Sequence, residues 1–168
     1  MKILIVRHGI AEDLAAFAGS GREDRLRPLT DDGRRKMRKV AEALSALVPE
    51  LALVATSPYV RARDSAELLV RAFPERPVLS ELAELAPTGS NVAVLKFLQA
   101  QKSLPLVACV GHEPNLSQLA AWLLTGREKS FIELRKGGAC LLDFAGRVAS
   151  GGATLLWHLT PGQLRSAR

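Results

Sequence analysis

Arg7 and His8 stand side by side, directly after the apolar run "ILIV" and directly before Gly9. A second histidine, His112, follows the run "LVACVG", and Arg61 follows "LVATSPYV". Two arginines and two histidines gathered at one place can handle a phosphoryl group. Arginine stays charged, and its fork makes two parallel hydrogen bonds to phosphate oxygens. A neutral imidazole can attack phosphorus through one nitrogen while the other keeps a proton held by an acceptor. A second imidazole can stabilise the charge that gathers on the equatorial oxygens. This chemistry calls for no metal or other cofactor. Zinc is disfavoured because arginines beside the histidines repel a cation and no H-E-x-x-H motif is present. Taken singly, each residue has a duller reading as a hydrogen-bonded or surface side chain. His158, in "LLWHLT", has no such company and reads as structural.

The elements around these residues bring them together. Residues 2–6 form a first buried strand, 51–58 a second strand with its turn, and "PLVACVGH" a third. A short strand is expected near Val78 and Leu79, and closing strands over 140–144 and 154–159. Between them, Thr30 reads as the N-cap of a helix with Asp31 and Asp32 at its positive end. Met37, Val40, Ala41, Leu44 and Leu47 form its inner face, Arg34, Arg35, Arg38 and Lys39 a solvated one, and Pro49 closes it. Further helices are expected over 59–72, with Ala62, Ala66 and Leu69 inward, from a cap at Asn91 to about residue 101, and over 114–124. Residues 10–29 read as a polar loop. Strand–helix alternation of this kind predicts a three-layer α/β/α sandwich on a mostly parallel sheet. In such folds sites form outside the carboxyl ends of the strands, where Arg7-His8, Arg61 and His112 all fall.

The length suits one domain, 1–168, with a single substantial core, and no repeat, low-complexity tract or linker divides it. No apolar run reaches bilayer length, and "MKILIV" is too short for a signal-peptide core. Cys109 and Cys140 lie in apolar runs without C-x-x-C spacing. They are expected as buried thiols of a cytoplasmic protein, with a disulfide left open. The net charge of +6 admits an acidic or phosphorylated partner. The cations are dispersed and few aromatics interleave with them, so nucleic acid is not expected, nor is a membrane.

"RHG" after the first strand, "RPLTDDG" before the first helix, "SPYVRA" and "GHEPNL" together resemble the histidine phosphatase superfamily, which includes the phosphoglycerate mutases. The resemblance runs from Met1 to about Leu124. With "RHGIAED", "RPLT", "ELAP" and no room for a large lid insertion, the chain looks most like the SixA-type phosphohistidine phosphatases. The resemblance implies a phosphoglycerate mutase-like fold, His8 as the phosphorylated nucleophile, Arg7 and Arg61 as the phosphate clamp, and His112 completing the pocket. It also implies a tight backbone turn at Gly9. Where many members carry Glu or Gln and then Thr after "RHG", this chain has Ile10 and Ala11, which weakens a mutase reading. Where many carry Gln-Thr after "RA", it has Asp64 and Ser65, positions assigned here to helix packing.

An alkoxide leaving group needs a general acid. Glu84, in "ELAELAP", is the candidate, followed by Glu81, then Glu12 and Asp13. A protonated phosphoimidazole leaves as neutral imidazole, whose conjugate acid has a pKa of about 6.5, and needs little such help. The expected substrate is therefore phosphohistidine in a protein carrier domain. The alternatives are a small sugar or nucleotide phosphomonoester and, in a different class, a non-catalytic module that only binds a phospholigand.

Overall fold

The computed structural model describes residues 1–48 and 50–167. Pro49 therefore lies outside the described residues. The strands are β1 (Lys2–Arg7), β2 (Leu53–Thr56), β3 (Val78–Glu81), β4 (Leu106–Gly111), β5 (Ala139–Asp143) and β6 (Thr154–Leu159). The helices are α1 (Leu14–Gly19), α2 (Asp31–Leu47), α3 (Val60–Ala72), α4 (Asn91–Ala100), α5 (Asn115–Thr125) and α6 (Pro161–Ser166). The strands form one sheet in the order β3-β2-β4-β1-β5-β6. Its first four members are parallel, and β5 and β6 close it antiparallel.

β1 is buried on both faces, as a continuous apolar run requires of a central parallel strand. Alternation sends Leu4 and Val6 into the core beneath α2, α3 and α6, and Ile3 and Ile5 into the core beneath α4 and α5. The three expected layers follow. α2 starts where the sequence places it: the Thr30 hydroxyl accepts the Gly33 amide at 2.9 Å, with Asp31 and Asp32 in the first turn. Gly33 itself is fixed by a close approach. A Cβ there would fall 1.9 Å from the Ile10 carbonyl oxygen, so only glycine lets the chain after His8 pass so near the helix.

The expectations differ from the structure in several places. The stretch 10–29 is not a plain loop: Asp13 caps α1, Phe17 is buried under it, and Asp24–Leu26 forms a 3-10 turn. Leu47 does not join the core. It is 42 % exposed at the last turn of α2 and lines a surface groove with Leu156 and Trp157. The cap of α4 is Ser90, one residue before Asn91. α6 was too short to show a period, although Thr160 and Gln163 cap it reciprocally and Leu164 is buried.

Candidate active site

The strand register assembles the site. Arg7 pairs with Gly111 across β1 and β4, and the His8 amide donates to the Gly111 carbonyl at 3.1 Å. The Ser57 amide, just past β2, donates to Val110 at 3.0 Å. Three carboxyl strand ends are thus locked side by side, and α3 adds Arg61 from its first turn. His8, Arg61 and His112 are all buried. Their rings and forks face a cleft of about 590 Å³, which Arg7 also lines.

A hydrogen bond settles the state of the His8 ring. His8 Nδ1 lies 2.7 Å from the Gly9 carbonyl oxygen, which can only accept, so Nδ1 carries the proton and Nε2 keeps a lone pair. The Gly9 amide donates to Ser65 Oγ at 3.0 Å, and Ser65 donates on to the Arg61 carbonyl at 2.7 Å. Ser65 therefore pins the backbone beside His8; helix packing is not its whole role. Gly9 is required by proximity, since a Cβ there would meet Met37 Cβ at 3.2 Å and Leu29 at 3.3 Å. His112 Nε2 lies 2.9 Å from Ser57 Oγ, which already accepts the Tyr59 amide at 3.2 Å. The Ser57 hydroxyl can donate to Nε2, an arrangement in which the His112 proton sits on Nδ1. The two imidazoles are 4.9 Å apart, centre to centre.

Among the described residues, the buried side-chain polar atoms without a hydrogen-bond partner are Arg7 Nε, Arg61 Nε and His112 Nδ1. Native interiors rarely leave buried polar groups unpaired, and three such nitrogens around one cleft, two of them arginine donors, mark a place built for an acceptor-rich ligand. An oxyanion is such a ligand.

The comparisons agree. The family model for the histidine phosphatase superfamily (branch 1) matches residues 3–86. A protein of Picosynechococcus sp. is 36% identical over 140 residues, 82% of each chain. The chain belongs to the histidine phosphatase superfamily. Phosphohistidine phosphatase SixA of Escherichia coli (strain K12) is 29% identical over 170 residues, covering 100% of this chain and 99% of its own. The structure of protein histidine phosphatase SixA complexed with tungstate superposes with a TM-score of 0.82 at 28% identity, over 98% of this chain and 99% of that one. The α-ribazole phosphatase of Shigella flexneri shares the fold, with a TM-score of 0.70 at 16% identity over 96% and 97% of the two chains. The phosphatase thus has the phosphoglycerate mutase-like architecture without a large insertion.

Both imidazoles of the phosphatase are held neutral. Burial, then the neighbouring His112, Arg61 and Arg7 charges, push His8 down to about 2 against the weaker pull of the Gly9 carbonyl. Burial, then Arg61, Arg7 and Arg27, push His112 down to about 3 against the pull of Asp24. A neutral His8 keeps its Nε2 lone pair at any ordinary pH. The same shifts tie stability to pH, because the unfolded chain takes up these protons near pH 6.5 and the folded chain does not. The stability is whole above pH 6.5 and is lost as pH falls toward the folded values. By pH 5 each histidine accounts for about 2 kcal/mol of that loss. In phosphate-free buffer, the fall in Tm from pH 7 to pH 5 is expected to be smaller in His112→Asn than in the wild-type chain. Equal falls would contradict the neutral pair.

The structure brings Arg7, His8, Arg61 and His112 together and leaves Glu84 out. Glu84 sits in the 3-10 turn Ala83–Leu85, whose buried member is Leu85, and it does not line the cleft. Glu81 is exposed and pairs with Arg63 at 3.6 Å. Glu12 and Asp13 do line the cleft, with Asp24, Arg27, Glu113 and Lys136, which the motifs did not single out. Both Glu113 carboxylate oxygens accept from Ser117, at 3.2 Å from its amide and 2.6 Å from its hydroxyl, and burial raises its pKa. His158 lies on β6 and is not part of the cleft lining.

Proposed function

We propose that this phosphatase removes the phosphoryl group from phosphohistidine in a protein, through a covalent intermediate on His8 Nε2. The observation that carries the reading is the ring of unpartnered nitrogens, Arg7 Nε, Arg61 Nε and His112 Nδ1, around an imidazole whose free lone pair is on Nε2. Tungstate, held by the SixA of the solved complex, is a tetrahedral oxyanion of the kind such a ring accepts.

In the first step the His8 Nε2 lone pair attacks phosphorus and the P–N bond of the substrate breaks. A substrate imidazole protonated on its other nitrogen departs neutral, so no acid is consumed. His8 becomes a cationic phosphoimidazole, and its Nδ1–H bond to the Gly9 carbonyl strengthens as the charge appears. In the second step water adds to phosphorus and His8 leaves as neutral imidazole. Both water protons depart with the phosphate as H₂PO₄⁻. Arg7, Arg61 and His112 stabilise the equatorial oxygens in both steps, the work a metal does elsewhere. Glu84, the first candidate for a general acid, lies outside the cleft lining, and an imidazole leaving group has less need of such an acid than an alkoxide. The buried free thiols of Cys109 and Cys140 suit the reducing cytoplasm, where carrier domains of this kind would be met.

The test is phosphate release from a phosphohistidine carrier domain and, in parallel, from a panel of sugar and nucleotide monoesters, each with and without EDTA. Faster release from the carrier, unaffected by EDTA, is the expected result. Efficient release from one small ester alone would move the protein to a metabolic substrate. Turnover of neither would leave only a phospholigand-binding module.

A further inference from the structure

We propose that Asp24 is a positioning residue: it grips the Nη edge of Arg61 so that the Nε edge is presented to the phosphoryl group. The inference rests on the reading that the phosphoryl group binds among Arg7, Arg61 and His112. Arg61 is only 5% exposed, and its guanidinium is divided between two tasks. Nη1 donates to the Asp24 backbone carbonyl at 2.9 Å and Nη2 to the Asp24 carboxylate at 3.0 Å. Nε is buried and has no partner. A guanidinium is flat and its donors are fixed relative to one another, so whatever holds one edge sets the direction of the other.

Asp24 is itself braced. Its second carboxylate oxygen accepts Arg27 Nε at 2.7 Å, and Arg27 Nη1 donates to the Glu12 carbonyl at 2.8 Å. This chain of contacts ties the segment before α2 to the first turn of α3. A carboxylate near an anion site raises the question whether it merely stands in for phosphate. Its place argues otherwise: Asp24 shares the Nη edge with its own backbone carbonyl and leaves Nε untouched. Burial disfavours its charge, but Arg27 and Arg61 outweigh that and keep its pKa below the usual carboxylate range.

The experiment measures kcat and KM on the phosphorylated carrier, and tungstate as a competitive inhibitor, for Asp24→Ala, Asp24→Asn, Arg61→Ala and the double Asp24→Ala/Arg61→Ala, each checked for folding by circular dichroism. Asp24→Ala is expected to weaken tungstate about 10-fold, a loss of the size of one charge-assisted hydrogen bond. Asp24→Asn keeps an acceptor for Nη2 and is expected to recover most of that. The double variant is expected to be no worse than Arg61→Ala, since nothing remains to be positioned. Unchanged or tighter tungstate binding by Asp24→Ala, or losses that add in the double variant, would overturn the inference. If Arg61→Ala itself binds tungstate as the wild type does, the fault lies instead with the phosphoryl-site reading.

Discussion

His8→Ala is expected to lose phosphate release by at least about 10³-fold while keeping its fold. The size of the effect follows from what remains. Without Nε2 the covalent route is closed, and water must attack the substrate directly. Arg7, Arg61 and His112 would still bind and polarise the phosphoryl group, so binding should outlast turnover. The fold should survive because the lost group makes one side-chain hydrogen bond, to the adjacent Gly9 carbonyl, and is a desolvated imidazole among cations. Removing it relieves part of the pH-dependent cost described above. Steady-state release together with a tungstate binding isotherm separates the two effects. A variant that keeps more than a few per cent of wild-type turnover would remove His8 from the reaction.

The second large effect is expected at Arg61, and lysine should not replace it. Arg61→Lys is expected to lower kcat/KM by about 10²- to 10³-fold, the usual consequence of losing one well-placed donor to developing charge. Arginine gives Asp24 its two terminal nitrogens and still has Nε unpartnered, whereas lysine ends in one ammonium that must choose. The ammonium is expected to follow the Asp24 carboxylate and leave the phosphoryl oxygens without their donor. Charge alone is conserved, so a loss under 3-fold would mean that Arg61 acts only as a positive field. The assay is kcat/KM on the carrier substrate, with thermal denaturation as the control for packing.

The residues that were legible in the sequence share one property: an abrupt change of character at the end of an apolar run. Arg7, His8 and His112 interrupt strands that are buried on both faces, and such an interruption must be satisfied or functional. The partners that orient these groups carry no such mark. Asp24 and Arg27 are charged residues in a charged stretch, where a solvated reading is natural, and only the folded path of residues 10–29 brings Asp24 against α3. Ser65 looked like a helix-packing residue because its bond to the Gly9 amide spans 56 positions. Gly33 sat inside a recognisable stretch, yet its reason, the Ile10 carbonyl pressed against it, exists only in three dimensions. Glu84 is the opposite case: an acidic stretch suggests an acid, and the turn that buries Leu85 places it outside the cleft lining. The short helices α1 and α6 lie below the length at which periodicity speaks.

Trapping the intermediate shows whether the phosphoryl group passes through His8. The phosphatase is mixed with a ³²P-phosphohistidine carrier, quenched within milliseconds in alkali, digested, and mapped by mass spectrometry under alkaline conditions. The expected result is a transient, acid-labile and alkali-stable phosphoryl group on His8, absent from His8→Ala. Turnover at full rate with no labelled enzyme, or with the label on any other residue, would contradict the account.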